Sequence, residues 1–298
     1  MAGIIHLRRT AARPQGLTRR LLVLGAAGMV AASAFDRDAD AQATPGPARS
    51  EPGADARARL EALLRMVPLT ALGGPDPDQW LFSWADLETQ FAAHAVTDWR
   101  ETEVPLVDLT AALAIADNLS RYALDEEAEA TFGFSALDAA QILVAGNAPD
   151  QVTCYAGLPV ARLPEVWEAA GYERMEGEYG PYWTVGQEGE VDLESPVSRF
   201  GVGALNNVAI LDEAGGVVAF TRRARLLQQV QGLLVDGGAS ALDDPELAEV
   251  LETLPQDTVS LVAIPGAQLA IGSITPEGGQ ITGLDLLAAS DEAVGPMP

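Results

Sequence analysis

Apolar residues first recur with a helical period at Leu60, Leu63, Leu64 and Val67, spaced i, i+3, i+4, i+7 and stopped by Pro68. After the turn Gly73-Gly-Pro-Asp-Pro-Asp78, the run Trp80-Leu-Phe-Ser-Trp84 predicts a short strand. Ser83 with Asp86 three residues on resembles a helix-start signal, and Leu87, Phe91 and Ala95 would share one face of the helix that follows. Leu109, Leu113, Ala116 and Leu119 or Ala123 predict a helix over 109–123, and a third is predicted over 135–146, before Pro149. The section 57–150 therefore reads as mainly helical.

From Gln151 the pattern changes to short β-rich runs. Residues 152–156 predict a strand and 164–170 a helix closed by Gly171. Residues 172–175 and 181–185 read as a hairpin, as do 207–211 and 217–221 around Asp212-Glu-Ala-Gly-Gly216. Leu226, Leu227, Val230, Leu233 and Leu234 mark one helical stripe, and Asp244-Pro245 caps another helix carrying Leu247, Val250 and Leu251. Strands are predicted over 259–264 and 268–274, and a third over 280–286. Tight hairpins with helices inserted between pairs predict an α+β fold: a largely antiparallel sheet covered on one face by helices, preceded by the mainly helical section. The stretch 151–290 forms the α+β section, either alone or as one domain with 57–150. Helix, Pro, strand occurs twice, ahead of 80–84 and ahead of 259–264, which hints at a duplicated unit.

The N-terminus follows neither pattern. Arg8, Arg9, Arg13, Arg19 and Arg20 precede an apolar stretch from Leu21 that ends at Ala32-Ser33-Ala34. Basic region, apolar region and small-residue cleavage site, in that order, predict a signal peptide over 1–34 with cleavage set by Ala32 and Ala34. The stretch is shorter than the roughly twenty residues a spanning helix needs. Thr18-Arg19-Arg20-Leu21-Leu22 resembles the twin-arginine export motif, carried by Arg19 and Arg20; an ordinary secretory signal with a chance Arg pair is the other reading. A later cut after Ala41-Gln42-Ala43 also fits. Residues 35–56, rich in Ala, Pro, Gly, Asp and Arg without a period, read as a disordered linker. The expected location is secreted or on the cell surface, with membrane anchoring through an uncleaved signal as the alternative.

Charge narrows the partners. The formal net charge is −25, and residues 1–34 hold five Arg and no acid, so the remainder stands at −30. Nucleic acid and anionic membrane surfaces are disfavoured, because binding them needs clustered basic side chains. The expected partners are the export machinery, through the signal, and an extracytoplasmic ligand or protein. A single cysteine, Cys154, leaves no intramolecular disulfide.

Val152-Thr-Cys-Tyr-Ala-Gly157, Trp167-Glu-Ala-Ala-Gly-Tyr172, Pro181-Tyr-Trp183 and Leu205-Asn-Asn-Val208 together resemble a group of secreted bacterial proteins of unknown function. The resemblance covers residues 130–265. It implies a strand, a helix ending in Gly-Tyr and a hairpin, and it carries no catalytic motif.

Candidate chemistry is sparse. His94 is the one histidine after the signal, and it borders the apolar stripe of its helix, where a half-buried packing role outweighs a general base. No serine sits in a Gly-x-Ser-x-Gly elbow. Cys154 shares a strand face with Val152 and reads as a buried structural thiol. Glu188, Glu190, Asp192 and Glu194 form the densest acidic run; they are weak candidates for a calcium site, and a solvated acidic surface is the plainer reading. Tyr179, Tyr182 and Trp183 could form a binding ledge, with Trp80, Trp84 and Trp99 as a second aromatic group, although core packing is the default for both. No cofactor is expected. The leading functional expectation is a non-catalytic extracytoplasmic binding or scaffold protein; the alternatives are a carboxylate-based hydrolase and an acidic calcium-dependent surface protein.

Overall fold

Among the residues whose burial is described, four strands are buried along their whole length: Phe82–Asp86 (β1), Gln141–Ala145 (β2), Val152–Ala156 (β3) and, further along the chain, Val217–Thr221 (β7). A strand buried on both faces must lie inside a sheet with a layer on each side. The computed structural model, which describes residues 56–73, 82–102, 119–147, 149–186, 195–201, 203–253, 260–264, 267–270, 273–274 and 281–282, shows that arrangement. The remaining strands are Glu173–Gly177 (β4), Gly180–Thr184 (β5), Asn207–Asp212 (β6), Ser260–Ile264 (β8), Ala267–Ala270 (β9), Ser273–Ile274 (β10) and Ile281–Thr282 (β11). β1 to β9 make a nine-stranded sheet in the order β4-β5-β6-β7-β3-β2-β1-β8-β9, and β10 pairs with β11. Every neighbouring pair is antiparallel, as an α+β fold of this kind requires.

The helices are Ala56–Leu64 (α1), Leu69–Gly73 (α2), Leu87–Ala93 (α3), Glu126–Phe132 (α4), Leu163–Ala169 (α5), Ala224–Asp236 (α6) and Pro245–Thr253 (α7). Strand alternation sorts them into two layers. On one face Tyr155, Val208, Val218, Phe220 and Trp183 meet Leu87 and Phe91 of α3, Phe132 of α4 and Trp167 of α5. On the other, Trp84, Leu143, Val152, Cys154 and Ala219 meet Leu60 and Leu64 of α1, Leu227 and Val230 of α6, and Leu247 and Leu251 of α7. The expectation of helices on one face is therefore corrected: both faces are covered.

The two cores differ in chemistry. The first is aromatic, with Phe220 at its centre, edge-on to Phe132 at 5.9 Å, Tyr155 at 5.9 Å and Trp167 at 6.5 Å. In the second, the strands offer Ala145, Ala209 and Ala219 to the Leu-rich helices.

Two further expectations are corrected. Residues 135–146 are not a helix but one turn of 3-10 helix, Ala136–Asp138, capped by Ser135, followed by β2. The cap of α3 is Asp86 rather than Ser83, which lies inside β1; Asp86 accepts the Thr89 N–H at 3.1 Å. The helix predicted over 109–123 falls largely outside the described residues, which resolve only a 3-10 turn at Leu119–Tyr122.

The proposed boundary near Gln151 does not cut the sheet, because β1 and β2 from the first section sit between β3 and β8 from the second. The two helix-Pro-strand segments also end side by side: β1 pairs directly with β8, Phe82 opposite Ala263, and α1 and α7 share one face.

Candidate functional site

The hairpin β4–β5 stands at one end of the sheet, and its base is fixed from the core. Gly171, at φ 94°, turns the chain out of α5, and the Tyr172 hydroxyl donates to the Leu205 carbonyl at 2.7 Å. Burial pushes that phenol far above its ordinary range. On β5, the Trp183 indole N–H donates to Glu168 Oε1 at 3.1 Å, and its ring meets Trp167 edge-on at 5.3 Å.

Beyond this base the hairpin leaves the core and leans on α6. Gly177 and Gly180 bracket a two-residue loop, Glu178-Tyr179. Gln228 donates to Gln231 at 2.5 Å, and Gln231 donates to the Pro181 carbonyl at 3.0 Å, which ties the start of β5 to the helix. Gly232 leaves room for the Tyr179 ring: a Cβ there would come within 2.9 Å of it. The Tyr179 hydroxyl lies between Glu178 and Asp236, whose negative charges raise its pKa.

The result is a ledge of exposed apolar side chains. Met175, opposite Tyr182 on the hairpin, is 40% exposed, and Leu234 and Val235 on the last turn of α6 are 42% and 67% exposed. Only Leu124, at 39%, is a comparably exposed large hydrophobe among the described residues. Glu178 and Asp236, on either side of the Tyr179 hydroxyl, rim the ledge with exposed carboxylates. Chemically it offers apolar contact area flanked by negative charge, a surface for an apolar segment carrying basic groups.

The other sequence candidates distribute differently. Trp183 is buried and supports the ledge from beneath, while Tyr179 and Tyr182 are half-buried upon it. Trp84 and Trp99 are both buried in cores on opposite faces of the sheet, so they form no joint surface; Trp80 lies outside the described residues. His94 is half-buried at the C-terminal end of α3, its N–H bonded back to the Gln90 carbonyl. Cys154 is fully buried beside Val152, and burial pushes its thiol up to about 12, which keeps it protonated and inert at neutral pH. Glu188, Glu190, Asp192 and Glu194 lie outside the described residues, as do Arg19, Arg20, Ala32 and Ala34. Among the described residues no group of three His, Cys, Asp or Glu side chains is placed to hold a metal ion.

The exposed end of α6 escaped the sequence pattern. Leu233 and Leu234 continue the apolar stripe, yet the helix outruns the sheet, leaving Leu233 half-buried and Leu234 exposed. The signal for this was Asp236 followed by Gly237-Gly238, which ends the helix directly after its exposed turn.

No protein family, curated protein or solved structure gives a significant match to this chain. Among the described residues no helix is long and apolar enough to cross a membrane.

Proposed function

We propose that this is an exported protein that works outside the cytoplasm by binding, and that the hairpin–α6 ledge is its contact surface for an extracytoplasmic partner. One observation carries the reading: Leu234 and Val235 are exposed on the last turn of α6, the helix on which Tyr179 rests at Gly232, and Met175 is exposed on the same hairpin as Tyr179. Leaving such residues in water forgoes the free energy their burial would contribute, roughly 1.5–3 kcal/mol for each large side chain fully covered. Apolar clusters rimmed by charge are typical of protein contact surfaces. The carboxylate rim selects a partner with Lys or Arg beside its apolar residues.

The Arg-rich leader with Ala32-Ser33-Ala34 supports delivery to that setting, and Arg19-Arg20 supports the twin-arginine route for a body that folds before export. A photo-crosslinking residue placed at Val235, and separately at Glu127 as an exposed control away from the hairpin, tests the reading in the exporting cell. The expected result is a discrete adduct from Val235 and none from Glu127. Equal labelling at both positions, or none at Val235, would overturn it.

A further inference from the structure

β4 ends the nine-stranded sheet, and Glu173, Arg174, Met175 and Glu176 along it are all exposed. An uncovered edge presents unpaired N–H and C=O groups to any strand that fits them. Which groups point outward follows from the hairpin. Gly177 and Gly180 are partners across a two-residue loop, and the residues flanking such a loop exchange both ladder hydrogen bonds. Alternation then turns the backbone groups of Met175 and Glu173 toward β5, and those of Arg174 and Glu176 toward solvent. An incoming antiparallel strand must pair with Arg174 and Glu176.

For a second copy of β4 the choice of register is an electrostatic one. Arg174 opposite Arg174 juxtaposes like charges, and so does Glu176 opposite Glu176. With Met175 on a two-fold axis, Arg174 instead meets Glu176 of the partner subunit, twice by symmetry. The two residues share one strand face and already form an ion pair of 2.9 Å within the chain, so both side chains point where the cross-strand contact would form. On the other face the two Met175 side chains would cover each other.

We infer that β4 is a homodimerisation edge, two copies pairing antiparallel about Met175 with reciprocal Arg174–Glu176 contacts. A two-fold axis perpendicular to the sheet keeps both α6 helices on one side, so the two ledges adjoin. The inference rests on the geometry and charges of β4 and holds whether or not the ledge binds another protein.

Sedimentation velocity of the purified whole chain tests it, in about 0.3 M NaCl so that the self-repulsion of a strongly acidic protein is screened. Wild type is expected to show a concentration-dependent monomer–dimer equilibrium. Arg174→Glu and Glu176→Arg should each weaken dimerisation by more than about tenfold, since each places like charges opposite one another. A 1:1 mixture of these two variants restores opposite charges at both contacts and should dimerise as wild type does, and so should the exchanged chain R174E/E176R. Both positions are exposed, and matching far-UV circular dichroism checks that each variant is folded. A monomeric wild type, single variants that dimerise unchanged, a mixture and exchanged chain that both stay monomeric, or open-ended assembly through the opposite edge at β9 would each overturn the inference.

Discussion

At the residue scale, two glycines at positive φ separate strain from contact. Gly216 has φ 59° in the β6–β7 turn, and a Cβ there would lie 2.7 Å from the Leu158 backbone nitrogen; Gly237 has φ 74° with nothing within 4 Å. Gly237, at ψ −172°, sits outside the left-handed helical well in a region that is essentially glycine's alone, so Gly237→Ala should cost that conformational penalty only, about 1–3 kcal/mol. Gly216→Ala should cost clearly more, because the turn must also part from Leu158; urea denaturation of both variants measures the difference. Asp138 supplies a pH test. Burial alone would raise its pKa, but the Arg100 guanidinium, the Trp99 indole at 2.9 Å and the Ser135 N–H outweigh it and hold the carboxyl below the ordinary range. A carboxylate depressed on folding stabilises the protein above its unfolded pKa, and that stabilisation is lost as pH falls through the folded value. The stability difference between wild type and Asp138→Asn should thus be constant near neutral pH and shrink below the ordinary carboxylate range, followed by urea midpoints at stepped pH. The fate of Cys154 was legible from alternation alone, since Val152 shares its side. The Asp138 cluster was not: Arg100, Glu129 and Asp138 are separated in sequence, and no local pattern joins them.

At the element scale, Arg59 joins the two helical layers. It rises from α1 on one face to Asp86 at the end of β1, bonding that buried carboxylate through Nε at 3.0 Å and also Thr89 of α3 at 2.6 Å, on the other face. Arg59→Met removes the cation and leaves the carboxylate buried, so it should destabilise by about 3–5 kcal/mol; a thermal or urea unfolding curve checks it. The hairpins, α1, α5 and α7 were readable because each had a period and a punctuating residue: Pro68, Gly171, Gly215-Gly216 or Asp244-Pro245. β2 was misread because Gln141-Ile-Leu-Val-Ala145 is buried on both faces, and a continuous apolar run carries no alternation to distinguish strand from helix. α4 went unmarked for the opposite reason. Its acidic sequence buries only Ala128 and Phe132, too few to set a period, although Asp125 caps it and Gly133 ends it.

At the scale of the whole molecule, the antiparallel sheet was legible and its second helical layer was not, because alternation records that a face is buried without saying what covers it. The ledge was half legible: its tyrosines stood out by type, but their exposure depends on where the sheet ends beneath α6. Residues 1–34 hold five arginines and no acid, so on the proposed removal of this stretch the remainder stands at −30 rather than −25. The proposed role outside the cytoplasm requires that the N-terminal stretch be an address that is removed. The most direct test is the intact mass of the protein recovered outside the cytoplasm. The account predicts a chain beginning at Phe35, or at Thr44 if Ala41-Gln42-Ala43 is the site used; an exported chain that still begins at Met1 or Ala2 would contradict it.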